Sequence, residues 1–167
     1  MPANIKVKGN PVPLAGTELK VGDTFPTVKL NKDLFTQIST SEFAGKRVIY
    51  SVVPSLDTGI CDLQAKRFNE ELGKLGDSVI AAIVSRDLPP AMARWCGAIT
   101  PNENLRLLSD ANAREFGSAT GTEMPSVGIL SRAVFVTDEA GKIVYIEYVD
   151  ELTSHPDYDS ALAAAKA

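Results

Sequence analysis

Two cysteines, Cys61 and Cys96, and one histidine, His155, are the scarce reactive side chains of this sequence. Cys61 ends the stretch "PSLDTGIC", which follows directly on the apolar run "RVIYSVV". A β-branched run of that kind reads as a strand buried on both faces, and Pro54 stops it. From the cysteine onward, Cys61, Ala65, Phe68, Leu72 and Leu75 recur at steps of 4, 3, 4 and 3, which is one face of a helix. Asp62, Lys66, Arg67, Glu70, Glu71 and Lys74 fill the remainder as a solvated face. Cys61 therefore belongs to the buried stripe, yet sits in the first turn. Unpaired backbone N–H groups and the positive end of the helix dipole favour a thiolate over a thiol there. A free thiol of pKa about 8.5 is only slightly ionised at neutral pH, and helix N-termini or nearby cations lower that value. Thr58, three residues earlier, has the spacing at which an N-cap hydroxyl reaches the third backbone N–H of the helix. The chemistry on offer is nucleophilic attack by sulfur.

Several reactions use such a sulfur. A thiol–disulfide oxidoreductase normally carries Cys-x-x-Cys at the helix start, and here Leu63 and Gln64 follow instead. A cysteine hydrolase needs a histidine beside the nucleophile. His155 precedes Pro156 in a polar loop and is expected at the surface. Two cysteines are too few for a zinc site unless His155 and a carboxylate join them. No metal, flavin or nucleotide cofactor is implied; no glycine-rich phosphate loop follows a strand, and the glycines read as turn residues. A non-catalytic binding or chaperone module, with both thiols structural, is the remaining alternative. Taken singly, the residues have ordinary readings: Pro54 a strand stop, Thr58 a helix cap, Cys61 a small buried hydrophobe, Arg132 a surface arginine at a strand end.

The elements that must position these residues follow from pattern. "NIKVKGNPVPL" alternates and turns at Gly9-Asn10, an amino-terminal hairpin over residues 1–15 whose second strand Pro11 and Pro13 confine to an edge. "STSE", Ser39 to Glu42, has capping-box spacing and opens a short helical turn. Arg47–Val53 and Ser78–Ser85 read as strands, with Cys61–Leu75 as the helix between them. Pro89–Cys96 is a short helix opened by prolines, Leu105–Leu108 a strand, and Asn112–Phe116 a helical turn. "AVFVTDEAGKIVYIEYV" is a hairpin around "DEAGK", and "PDYDSALAAAKA" a last helix with Asp157 near its start and Lys166 near its end. This order predicts one α/β domain over 1–167 with a thioredoxin-like fold: a central mixed sheet with helices on both faces.

Pro54, Thr58 and Cys61 together match PxxxTxxC at the end of a central strand, the signature of the peroxiredoxins. The resemblance spans the whole chain, through "GNP", "FAGKRVI", "SRDLPPAMARWCG", "RAVFVTDEAGKIV" and "VDELTSHPDYDSALAAAKA". In these stretches the sequence resembles the atypical two-cysteine, thiol peroxidase branch of that family. The resemblance implies reduction of hydrogen peroxide and organic or lipid hydroperoxides, thioredoxin as reductant, and a homodimer. By position it implies that Cys61 is the peroxidatic cysteine, Thr58 the threonine that bonds the peroxide and Pro54 the proline that shields the thiolate. Arg132 matches the active-site arginine, and Cys96 matches the resolving cysteine that closes an intrachain disulfide. "SRDLPPA" departs from the expected pattern with Arg86 and Pro90, where smaller or aromatic residues are the rule.

Composition bounds the setting. The 167 residues suffice for a core that buries roughly 70% of the unfolded chain's surface. A formal charge of −4, with no basic cluster, argues against a nucleic-acid partner. The longest unbroken apolar run, Val79 to Val84, is far too short to span a membrane, and "MPANIKVKGN" has no signal-peptide core. A cytoplasmic location is expected, where two cysteines are not a permanent staple.

Overall fold

The computed structural model describes residues 4–166. In chain order its strands and helices are β1 (Asn4–Val7), β2 (Asn10–Pro13), β3 (Lys29–Asn31), β4 (Gln37–Ser39), a 3-10 turn (Thr40–Phe43), β5 (Arg47–Val52) and α1 (Gly59–Leu75). They continue with β6 (Val79–Ser85), α2 (Pro89–Gly97), β7 (Leu105–Ser109), α3 (Glu115–Thr120), β8 (Glu123–Met124), β9 (Ile129–Leu130), β10 (Ala133–Thr137), β11 (Ile143–Tyr148) and α4 (Tyr158–Lys166). Seven strands form one mixed sheet in the order β11-β10-β5-β6-β7-β3-β4. β5, β6 and β7 run parallel, whereas β10 is antiparallel to β5 and β11 to β10. The mixed sheet with flanking helices is the expected thioredoxin-like α/β arrangement.

β5 lies inside the sheet between β10 and β6, which is why "VIYSVV" is apolar at nearly every position. Its side chains alternate between two cores. Val48, Tyr50 and Val52 join a cluster with Phe25, Phe116 and Phe135 on one sheet face. Ile49 and Val53 join Cys61, Ala65, Phe68, Leu72 and the α4 residues Ala161, Leu162 and Ala165 on the other. The predicted stripe of α1 is thus the buried one. Phe68, with no exposed surface, contributes about 2 kcal/mol by leaving water.

Several expectations shift in detail. The hairpin turn is Lys8-Gly9 rather than Gly9-Asn10, with φ of 50° and 82° at the two positions and Val7 facing Asn10. Both turn N–H groups donate to the Glu151 carboxylate, at 2.9 and 3.1 Å, and this support lets a lysine adopt the left-handed conformation. The helical turn placed at Asn112–Phe116 is α3, three residues later, because Asp110 accepts the Phe116 and Gly117 N–H groups and fixes its start. β3, β4, β8 and β9 are too short to carry a recognisable alternation. The capping box at Ser39 forms as expected, with Glu42 returning to the Ser39 N–H.

Candidate active site

The carboxyl end of β5 meets the amino end of α1 through the Pro54–Thr58 turn, and the site is assembled there. Pro54 is buried and Thr58 exposed, and Thr58 is the N-cap residue of α1 in extended conformation. Its hydroxyl does not cap the helix, contrary to the sequence expectation. Instead Oγ1 donates to the Ser55 carbonyl at 2.9 Å, because the tight turn brings that acceptor within reach first. The first intrahelical bond runs from the Asp62 N–H to the Thr58 carbonyl, so Cys61 is the third residue of the first turn. Its side chain is fully buried and its thiol is free.

Arg132 reaches the site by register. Ala133 pairs with Val52 across β10 and β5, so the residue before Ala133 stands beside the end of β5. Alternation puts Arg132 on the same sheet face as Val134 and Val136, the face covered by α1. There its guanidinium is held in place. Nε and Nη2 donate to the Leu152 carbonyl at 3.0 and 2.9 Å, and Nη1 donates to Gln64 Oε1 at 3.0 Å. Gln64 lies three residues after Cys61 on α1, hence on the same side of the helix one turn along. Arg132 is only 3% exposed, so this buried cation is pinned beside the cysteine's helix turn.

Gln64, Asp87 and Tyr158 complete the surroundings, and sequence reasoning singled out none of them. Gln64, fully buried, also donates to Ser51 Oγ at 2.8 Å, tying α1, β5 and Arg132 together. Its one visible signal was a polar residue next to the apolar stripe. Asp87 accepts from Ser55 Oγ and the Leu56 N–H, both at 2.8 Å, and from Ser85 Oγ at 2.6 Å. It therefore clamps the Pro54–Thr58 turn to the base of α2. Tyr158, at the start of α4, packs its ring on Phe68, with centroids 5.6 Å apart, under the Arg67 guanidinium at 5.0 Å. Burial raises its phenol above the ordinary value of 10.0. The Arg132 and Arg67 charges oppose that rise and the Cys61 sulfur adds to it, which marks Tyr158 as a neighbour of the centre. His155, exposed as expected, bonds the Tyr158 hydroxyl at 2.7 Å through Nδ1.

Cys96 stands apart from this centre. It is half-buried on α2 and lines a groove of about 830 Å³ with Phe35, Pro89, Met92 and Leu107, whereas Cys61 lies in the core beneath α1. Of the two departures in "SRDLPPA", Pro90 is an exposed residue in the first turn of α2, where a missing N–H costs nothing. Arg86 is buried and engaged elsewhere, with Asp110 at 3.2 Å and Glu123 at 3.0 Å. Neither disturbs the Pro54–Thr58 turn directly.

A cysteine in the first turn of a helix, at the end of a central strand and beside a pinned arginine, is the arrangement of a thiol-based oxidoreductase. The Redoxin family model matches residues 20–162, and the chain belongs to that family, in its thiol peroxidase branch. It is 48% identical over 165 residues to the thiol peroxidase of Bacillus subtilis, covering 99% of this chain and 98% of that protein. A peroxiredoxin-like protein from Aquifex aeolicus superposes with a TM-score of 0.88 at 36% identity, over 98% of this chain and 95% of that one. The thiol peroxidase of Chromobacterium violaceum shares the fold at 21% identity, with a TM-score of 0.78 over 94% and 91% of the two chains. The protein is accordingly an oxidoreductase of the peroxiredoxin type. No helix among the described residues is long and apolar enough to cross a membrane.

Proposed function

We propose that the chain reduces hydrogen peroxide and organic hydroperoxides, including lipid hydroperoxides, at Cys61 and recovers through a Cys61–Cys96 disulfide reduced by thioredoxin. The observation that carries this reading is Arg132, a buried cation bonded to Gln64 one turn along the helix from Cys61. The Cys61 thiolate attacks the terminal peroxide oxygen. The O–O bond breaks, and its electron pair leaves with the other oxygen as alkoxide or hydroxide, which takes a proton to give alcohol or water. Cys61 is then a sulfenic acid.

Arg132 and the first-turn N–H groups, which no Thr58 side-chain cap engages, are the donors for charge building on the oxygens. Thr58 Oγ1 spends its hydrogen on Ser55, leaving lone pairs to accept from the peroxide O–H. Buried Pro54 keeps water from the sulfur. Cys96 thiol then displaces hydroxide from the sulfenic sulfur, water is released and the disulfide forms. A dithiol reductant restores both thiols in turn. A cytoplasmic location is part of this reading, and the family resemblance supports a homodimer.

The test is peroxide-dependent oxidation of thioredoxin by wild type, Cys61→Ser and Cys96→Ser. Cys61→Ser is expected to be inactive. Cys96→Ser is expected to consume one equivalent of peroxide and stop as trapped sulfenic acid, or to consume further peroxide only as Cys61 is overoxidised, with no sustained oxidation of thioredoxin. Full activity in Cys61→Ser would overturn the reading. Sedimentation at twice the 17.8 kDa chain mass would confirm the dimer.

A further inference from the structure

The neighbours of the two cysteines in sequence are bonded to each other in space. Trp95, the residue before Cys96, donates its indole Nε1–H to Asp62 Oδ1 at 2.8 Å, and Asp62 is the residue after Cys61. Lys66 holds the other Asp62 oxygen at 2.9 Å from the next turn of α1, so the acceptor is fixed. Trp95 is partly buried, packed against the core beneath α1, and is the only tryptophan. The amino end of α2 is tied down separately, by the Asp87 bonds to Ser55, Leu56 and Ser85. Beyond α2, Asn69 of α1 holds the chain through the Thr100 carbonyl and the Asn102 N–H, at 3.0 and 2.7 Å. The Cys96 end of α2 lies between these anchors. The hydrogen bond to Asp62 is the side-chain bond that joins its last turn to α1.

A disulfide needs α-carbons within about 7 Å and β-carbons that face each other. Both thiols are free, with Cys61 in the core on α1 and Cys96 lining the groove on α2, so the segments that carry them must shift relative to each other before the sulfurs meet. We propose that the Asp62–Trp95 hydrogen bond is the latch on that movement, with both side chains acting as positioning residues for resolution. This rests on the Cys61–Cys96 pairing proposed above. The latch sets the interval during which the Cys61 sulfenic acid stays unresolved. In that interval a second peroxide can oxidise the sulfenic sulfur to sulfinic acid, releasing alcohol or water. A tighter latch makes the enzyme easier to inactivate by its own substrate.

The test is rapid-quench mass spectrometry of reduced wild type, Asp62→Asn, Trp95→Phe and the double variant, each mixed with hydrogen peroxide. Trp95→Phe keeps an aromatic ring in the core and removes only the donor, and Asp62→Asn keeps the shape. Matching thermal melts and circular dichroism establish that each is folded. Sulfenic acid formation is expected within two-fold of wild type in all of them. Disulfide formation is expected to be about ten-fold faster in Trp95→Phe, equivalent to about 1.4 kcal/mol of barrier. The sulfinic fraction at excess peroxide should fall in proportion, and the double variant should gain nothing over Trp95→Phe. Disulfide formation unchanged or slower in both single variants, with sulfenic acid forming normally, would overturn the latch. Absence of any Cys61–Cys96 disulfide in wild type would instead overturn the pairing, and the latch with it.

Discussion

Gln64 separates a positioned arginine from a merely buried one. Replacing it with leucine leaves Arg132 Nη1 and Ser51 Oγ without that partner, while Cys61 and its helix turn are retained. The reaction of Cys61 with peroxide is expected to slow roughly ten-fold or more, since a misaimed donor no longer meets the developing charge. Stopped-flow peroxide consumption by reduced Gln64→Leu measures it, and an unchanged rate would remove Gln64 from the site. Asp62 has a pH signature of its own. Burial pushes its carboxyl up, but the hydrogen bonds from Lys66 and Trp95 and the Lys66 charge outweigh that and hold it below its ordinary 3.8. A depressed carboxyl contributes its stabilisation above the ordinary value and loses it as pH falls through the depressed one. The Trp95 contact should therefore persist from neutral pH to about 4 and open only below that. Trp95 fluorescence should change in that acid range, and Asp62→Asn should lack the step. Far-UV circular dichroism recorded in parallel separates it from global unfolding.

At the scale of elements, the Pro54–Thr58 turn is a bridge between β5 and α1 whose shape is imposed from a third element. Asp87, at the entry to α2, gathers Ser55 Oγ, the Leu56 N–H and Ser85 Oγ on one carboxylate, and Ser109 Oγ donates to its backbone carbonyl at 2.5 Å. Asp87→Ala orphans several of these donors, at a cost of about 2 kcal/mol, or a fall of roughly 4–8 °C in Tm. Peroxide reactivity should fall as well, because the turn that carries Thr58 loses its template. Differential scanning calorimetry and single-turnover kinetics on that variant read the two effects separately. A lowered Tm with undiminished reactivity would show that the turn holds its shape unaided. The amino-terminal hairpin reaches the site through a similar relay. Lys6 bonds Asp150 and Leu152 through its backbone, and the Leu152 carbonyl is the acceptor that fixes Arg132.

Across the whole molecule the sheet separates stability from chemistry. Phe25, Tyr50, Phe116 and Phe135 pack on the face away from α1, with the Phe25 and Tyr50 rings stacked at 3.9 Å. Phe116→Ala should cost about 3–5 kcal/mol in chemical denaturation, since it opens a cavity where a fully buried ring had been. At a temperature where the variant stays folded, its Cys61 should react with peroxide at the wild-type rate. A large loss of rate in the folded variant would mean that the two faces are mechanically coupled.

The buried strand, the α1 stripe and the cysteine at the first helical turn were legible in the sequence. Each rests on contacts between neighbours in the chain or on a periodicity of 2 or 3.6 residues. Pro54, Thr58, Cys61, Cys96 and Arg132 were legible as site candidates only through the resemblance to the peroxiredoxins, since each taken singly has an ordinary structural reading. What no local pattern contained was the partner of each: Gln64 for Arg132, Asp87 for the turn, Trp95 for Asp62, Tyr158 beside the centre. These contacts join residues 32 to 90 positions apart or lie between elements whose relative placement only the sheet order fixes. Even the Thr58 hydroxyl, a cap by spacing, took the Ser55 carbonyl because the turn's geometry offered it first. The sequence by itself determined that a cysteine would stand in the first turn of the helix that follows a buried strand. The tertiary structure alone decided which side chains surround that turn and which bond joins the end of α2 to α1, because directed hydrogen bonds between distant segments exist only once the core has set their separation.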